Sequence, residues 1–387
     1  MIPDRLPVPR SWCADSAGVS VPVCRPKLPT ADRILPYLRE IDEARWYSNH
    51  GSLCRRFEAR LAAHCDAAAE QVVLATNATA ALTAALLALE PTPGSICMMP
   101  AWTFAASGHA VVRAGLVPWF VDVDARDGAL LPEAALDVLQ RSPAPVGAVL
   151  AVSPFGLPIP VEPWVAFRDR TGIPVLFDAA AAFDAVRASR IPTVVSLHAT
   201  KALGIGEGAF VVCTDDAATE AVRQRVNFGF VDSREAVVPA MNAKASEYAA
   251  AVGLAALDEW PDARAAYQSI ALRYAAAFAA VEGATMQRGY GTEWIAATTI
   301  VHLAHGLERV EDTLHEARVA SRRWWGDGLA RQRAFAEYPR EALPVTERLA
   351  STTIGLPCWP DLPFETVDWI AGVAGAACGR APASRAG

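Results

Sequence analysis

Val194-Val195-Ser196-Leu197-His198-Ala199-Thr200-Lys201 is followed by the glycine-rich Gly204-Ile205-Gly206-Glu207-Gly208 and then by Phe210-Val211-Val212-Cys213. Two short apolar runs are joined by a segment that only a chain reversal accommodates, so the stretch reads as a strand, a tight return and a second strand. Lys201 stands at the end of the first run. Most lysines are solvated surface residues, and that is the plainer reading. An amine held between an apolar strand and a glycine-rich turn would instead be desolvated, which lowers its pKa and makes it a nucleophile toward a carbonyl.

Upstream, apolar runs recur at Val72–Ala75, Ile96–Met99, Val117–Val121, Val146–Val152 and Val175–Phe177, with helix-compatible stretches between them. This alternation predicts an α/β domain around a mainly parallel sheet. In such sheets ligands gather outside the carboxyl ends of the strands. Two further strand ends carry chemistry. Asp178 follows Val175-Leu176-Phe177, where a buried carboxylate is costly without a positive partner; the alternative is a turn cap. Thr76-Asn77-Ala78-Thr79 precedes a helix over Ala80–Leu89, whose free N–H groups suit a phosphate, although Asn77 or Thr79 would serve equally as an N-cap. A phosphate cup, a carboxylate and an amine are the three grips a phosphorylated pyridine aldehyde requires. Ser196 could add a hydroxyl to the phosphate.

Residues 1–29 are proline-rich and read as an N-terminal arm, with a helix expected from Thr30, whose hydroxyl would cap it. Phe57, Leu61 and Cys65 lie at helical spacing after the turn-like Ser48-Asn49-His50-Gly51. Asn242–Ala280 is alanine-rich and helical, with an interruption at Trp260-Pro261-Asp262. Glu282–Val373, with strands near Ile295–Leu303 and Ser351–Leu356, reads as a smaller α+β domain, and the residues beyond Gly375 as a frayed tail. The expected organisation is an arm (1–29), a large domain (30–255) and a small C-terminal domain (256–387), in keeping with a chain of 387 residues.

A formal charge of −7 and a pI near 5.6, without a Lys/Arg run, argue against nucleic acid as a partner. Met1–Cys13 has no apolar core of the kind a signal peptide needs, and no segment approaches the roughly 20 apolar residues of a membrane span. A soluble, cytoplasmic protein is expected. Eight scattered cysteines without a C-x-x-C pair read as free thiols, with no zinc site.

With these residues in place, the sequence resembles the DegT/DnrJ/StrS family of sugar aminotransferases. The family's S-x-H-x-T-K segment and following G-E-G match Ser196–Lys201 and Gly206-Glu207-Gly208. Its phosphate segment resembles Asn77-Ala78-Thr79-Ala80-Ala81-Leu82, and its P-x-[WFY]-T-F-x-A segment resembles Pro100–Ala106. Its G-x-N-x-R-x-S-E-x-x-A-A segment resembles Ala240–Ala250. Arg25–Pro29, Trp46–Gly51 and Ile354–Pro357 also match, so the likeness spans about residues 22 to 372.

The resemblance implies an aspartate-aminotransferase-like fold (fold type I) with pyridoxal 5′-phosphate (PLP) held by Lys201 as a Schiff base and by Asp178 at the ring nitrogen. Ala78, Thr79 and Ser196 would take the phosphate, Trp102 the ring face, and Asn242 the phosphate of a partner subunit, making a homodimer. By aromatic area alone Trp102 would equally be a core residue, and Asn242 a helix cap. The implied reaction moves an amino group from an amino acid, usually glutamate, to a keto sugar, typically nucleotide-linked. A free cyclitol ketone is an alternative acceptor, and a cofactor-less interaction protein an alternative fate. Relatives that eliminate water carry histidine in place of the Schiff-base lysine, against which Lys201 speaks. Three positions depart from the family: Ala181 where Gln or His meets the cofactor's phenolic oxygen, Ala78 for Gly, and Lys244 for Arg.

Overall fold

The computed structural model describes residues 20–378; the signal-peptide reading of Met1–Cys13 and most of the arm lie outside them. The elements run α1 (Ala31–Ala44), α2 (Ser52–His64), β1 (Val72–Ala75), α3 (Ala78–Ala88), β2 (Ile96–Pro100), α4 (Ala105–Arg113), β3 (Val117–Val121), α5 (Pro132–Leu139) and β4 (Val146–Val152). Next come α6 (Val161–Thr171), β5 (Val175–Asp178), β6 (Thr193–Ser196), β7 (Ala209–Val212), α7 (Asp216–Val226), α8 (Glu247–Asp258) and α9 (Trp260–Phe278). The chain closes with β8 (Ala284–Met286), β9 (Thr299–Leu303), α10 (Leu307–Glu316), α11 (Pro344–Thr352), β10 (Thr353–Leu356) and α12 (Phe364–Cys378).

Strands β1 to β7 form one sheet in the order β1-β7-β6-β5-β4-β2-β3. From β6 to β3 all neighbours are parallel, while β7 is antiparallel to both β1 and β6. Both faces are covered, which is why the strands are continuous apolar runs rather than alternating ones. Alternate residues divide between the faces. Val73, Val194, Leu176 and Leu150 pack with α3, α4 and α7 through Leu82, Ala110 and Val222. On the other side, Leu74, Val195 and Phe210 meet α2 and α8 through Phe57 and Leu254, and Val149 and Phe177 meet α6 through Trp164 and Phe167. By this alternation Asp178 and Ser196 fall on the α3 side, two residues along from Leu176 and Val194.

The β6–β7 return is a hairpin, as its glycines predict. Leu197 N–H donates to Gly208 O at 2.9 Å and Ala199 N–H to Gly206 O at 2.8 Å. Gly206 sits at φ +97°, and a Cβ on Gly204 would lie 2.6 Å from the Ala199 carbonyl oxygen, so neither position accepts a side chain without strain.

The second sheet, β10-β9-β8, is antiparallel and departs from the expectation in detail. Its strand β8 was not foreseen, and β9 begins at Thr299 because Ile295 N–H turns aside to donate to the buried Asp184 carboxylate at 3.1 Å. Thr30 does precede α1, but its hydroxyl makes no cap bond. The interruption near Trp260 is a helix junction, with Pro261 in the first turn of α9. Instead of fraying at Gly375, α12 continues to Cys378, because Ala374, Ala377 and Cys378 are buried. All seven described cysteines are free, and no described helix is long and apolar enough to cross a membrane.

Candidate active site

A cavity of about 1000 Å³ opens at the carboxyl end of the large sheet and is lined by residues from both sheets' surroundings. Lys201, Asp178, Ser196, Ala78 and Thr79 all face it. Five residues from three segments of the sequence are thus brought to one space.

Asp178 ends β5 and is buried. Its Oδ2 accepts from Ser107 Oγ at 2.7 Å and its Oδ1 from Ala180 N–H at 3.2 Å. Burial raises its pKa, against which these two hydrogen bonds and the Lys201 charge act. Lys201 lies just past β6, fixed by its own N–H to His198 O at 2.8 Å. Burial lowers the pKa of its amine, opposed by the Asp178 carboxylate. Both groups are therefore pushed toward neutrality by desolvation and toward charge by each other. A half-buried base and a buried acid sharing a cavity are what an incoming cation and carbonyl on one ring would relieve.

The cup is built as a helix start. Asn77 caps α3 by accepting from Ala80 N–H at 2.9 Å, so the plainer reading holds, and the cap leaves the first-turn N–H groups of Ala78 and Thr79 beside the cavity. Ala78 is the first residue of α3 and does not have positive φ, so replacement of glycine there carries no backbone strain. Ser196 Oγ accepts from His198 N–H at 3.2 Å, and its proton stays available to an anion. The residues present therefore fit a phosphorylated pyridine aldehyde.

One expectation changes. Trp102 does not line the cavity: it is buried edge-to-face against Trp325 (5.3 Å between ring centres) and Phe155 (6.3 Å) in a core cluster with Val152 and Leu349. The aromatic that this segment gives the cavity is Phe104, two residues on, 59% exposed at the N-cap of α4. The strand extension beyond β2 turns Trp102 into the core, and the helix start then throws Phe104 outward. Asn242 is also outside the lining, where Met241 stands instead. Its Oδ1 accepts from Lys244 Nζ at 2.7 Å, while that amine rides 4.1 Å over the Phe228 ring. The helix cap is Ser246, which accepts from Ala249 N–H.

Sequence reasoning missed the far wall. Arg322, Trp324 and Trp325 come from the segment between α10 and α11, held by paired backbone bonds between Arg322 and Gly355 at 3.0 and 2.9 Å. Arg323 is neutralised by Glu311 at 2.8 Å, whereas Arg322 stacks 5.0 Å from the Trp324 ring centre and has no carboxylate partner among the described residues. Phe155, at φ 56°, stacks 3.9 Å from Trp325, a left-handed backbone retained beside the cavity by packing. Ser107 was missed too, though a polar residue one turn before Ala110 and Val111 on an inward helix face was a readable signal.

A doubly covered, mostly parallel sheet with a half-buried lysine and a buried carboxylate at its carboxyl end defines an α/β protein of the aminotransferase fold. The chain belongs to the DegT/DnrJ/EryC1/StrS aminotransferase family, whose model matches residues 30–373. It is 32% identical over 244 residues to protein Mb3436c of Mycobacterium bovis, covering 60% of this chain and 59% of that one. It is 31% identical over 248 residues to the dTDP-4-amino-4,6-dideoxy-D-glucose transaminase of Escherichia coli, covering 62% and 64%. The matches thus span about three fifths of these curated relatives' lengths. A Bacillus cereus protein classed with the PLP-dependent aminotransferases superposes with a TM-score of 0.86 at 26% identity, covering 92% of this chain and 99% of that one.

Proposed function

We propose that this protein is a PLP-dependent aminotransferase that moves an amino group from an amino acid, with glutamate the expected donor, to a keto sugar carried on a nucleotide. The observation that carries the reading is the opening of the half-buried Lys201 and the buried Asp178 onto one cavity beside the start of α3. The E. coli relative, a transaminase of a dTDP-linked sugar, supports the choice of acceptor.

Lys201 would hold the coenzyme covalently, Asp178 its ring nitrogen, and Ala78, Thr79 and Ser196 its phosphate, with Phe104 at the ring face. PLP, when bound, supplies the electron sink that lets an α-carbon lose its proton. Asp178, whose charge is opposed by burial and favoured by Ser107, Ala180 N–H and Lys201, would hold a proton on the ring nitrogen. Lys201 Nζ, freed once the donor's amine has taken its place on the coenzyme, would use its lowered pKa to take the proton from the donor's α-carbon as a general base. Arg322 is the uncompensated cation of the far wall and receives the donor's carboxylate. Phe155 and Trp325, stacked on each other, form an aromatic wall beside these charges. We further propose a homodimer in which Asn242 reaches the phosphate of the partner's site.

The test is colour. Apoprotein mixed with PLP should turn yellow and yield a borohydride-reducible adduct, and Lys201→Ala should abolish the adduct; a colourless wild type that takes up no PLP sinks the reading. Keto sugars and cyclitols offered to the pyridoxamine form then identify the acceptor by return of the aldehyde-form absorbance.

A further inference from the structure

We propose that Ser107, backed by Thr103, is the positioning residue that holds the Asp178 carboxylate charged and aimed at the coenzyme's ring nitrogen; the inference rests on the coenzyme reading above. Thr103 Oγ1 and Ser107 Oγ are 2.7 Å apart, and Ser107 Oγ is 2.7 Å from Asp178 Oδ2. All three side chains are buried, with Ser107 0% and Thr103 1% exposed. A carboxylate only accepts, and a serine hydroxyl has one proton to give. Ser107 therefore donates to Asp178, and the Thr103 hydroxyl donates to Ser107. Both protons of the relay point toward the carboxylate, and two hydroxyls in series replace the water that burial removes, each bond polarising the next.

The relay also fixes direction. Oδ2 is engaged by Ser107 and Oδ1 by Ala180 N–H at 3.2 Å, so the carboxylate is gripped at both oxygens and cannot rotate freely about its last bond. Each oxygen retains a second lone pair, and Asp178 faces the cavity. Thr103 and Ser107 are four residues apart at the start of α4, and Phe104 lies between them on the cavity. One helix start thus supplies both the aromatic of the cavity and the support of its acid. An inward-facing hydroxyl among Ala110 and Val111 has no packing advantage over alanine, and its two bonds give it a use.

The experiment compares PLP binding to wild-type, Ser107→Ala, Thr103→Val and Thr103→Ser apoproteins, by absorbance titration and by ¹⁵N NMR of PLP labelled at the ring nitrogen. Loss of the Ser107 bond favours a neutral Asp178, and a neutral acid neither attracts nor retains a ring proton. We expect Ser107→Ala to weaken PLP binding about tenfold, ~1.4 kcal/mol, and to move the ring ¹⁵N signal toward the unprotonated form. Thr103→Val should shift both readouts the same way but less, while Thr103→Ser, which keeps the hydroxyl, should match wild type. The proposal is overturned if Ser107→Ala binds PLP within twofold of wild type with an unmoved ¹⁵N signal. Equal losses in Thr103→Ser and Thr103→Val would assign them to packing and also overturn it. Should Ser107→Ala not fold, the two Thr103 variants decide by the same criteria. A wild type that binds no PLP at all is a different failure, that of the coenzyme reading itself.

Discussion

Gly253, in the middle of α8, is pressed against Phe57 of α2: a Cβ built there would lie 2.3, 2.4 and 2.8 Å from three carbons of the ring. Its φ is helical, so Gly253→Ala removes a backbone liability worth up to about 1 kcal/mol. Against this stands the contact. Carbon pairs rest no closer than ~3.5 Å, so the nearest ring carbon must retreat by about 1.2 Å. Phe57 is 1% exposed among Leu53, Leu61 and Leu254 and has no free space to enter, and overpacking of this kind costs ~1–3 kcal/mol. The clash wins. We expect Gly253→Ala to lower stability by about 0.5–2 kcal/mol in denaturant unfolding of the apoprotein. Phe57→Leu, which shrinks the obstacle, should make the double variant more stable than the two single losses would sum to. A Gly253→Ala protein as stable as wild type, or strict additivity in the cycle, would refute the reasoning. The helix pair matters to the site because Glu247, the first residue of α8, accepts from the N–H groups of Leu53 and Cys54 at 2.8 and 3.2 Å. That bond ties the Asn242–Ser246 segment to the start of α2.

Two further outcomes follow from the cavity. Burial holds the Lys201 amine below the ordinary lysine pKa, so its neutral, reactive form should accumulate at lower pH than that of a free lysine. Trapping of PLP on Lys201 by borohydride should therefore rise with pH and level off below the usual midpoint of ~10.4; a rise centred on that value would contradict the assignment. Arg322→Gln should raise the KM for the amino-acid donor about tenfold, the scale of one charge-assisted hydrogen bond, with PLP affinity unchanged and partial recovery in Arg322→Lys. An unaltered donor KM would remove Arg322 from substrate binding.

The large sheet was legible because its strands are buried on both faces, and an apolar run bounded by turn residues needs no tertiary information to be recognised. Asp178 and Lys201 stood out for a related reason: a charged residue directly after such a run, or between it and a glycine-rich return, is conspicuous. The far wall was not. Arg322, Trp324 and Trp325 follow no strand and show no periodicity, and they reach the cavity through backbone pairing to Gly355, more than thirty positions away. Trp102 and Phe104 illustrate a finer limit. Both aromatics sit within one matched segment, and which of them faces the cavity depends on where β2 ends and α4 begins. Strand β8 was illegible because it has only three residues, of which Thr285 is exposed and Met286 half-buried.

The small apolar residues that follow Asp178 give the buried acid a larger part. Ala181, three residues beyond Asp178, lines the space with a methyl group and has no side-chain donor to offer a ring oxygen. Its backbone is closely backed: a Cβ on Gly156, which sits at φ +109°, would lie 2.9 Å from the Ala181 carbonyl oxygen. With no donor from Ala181, the hold on a ring's charge distribution would fall, in the proposed reading, to Asp178 at the nitrogen and Lys201 at the aldehyde. Each of these is driven toward its neutral form by burial, and each resists through the other's charge, with Asp178 resisting further through Ser107 and Ala180. An arrangement of that kind is costly when empty and is relieved when a cation and a carbonyl enter together. The same desolvation that unsettles the free protein thus selects a ligand carrying both groups on one rigid frame.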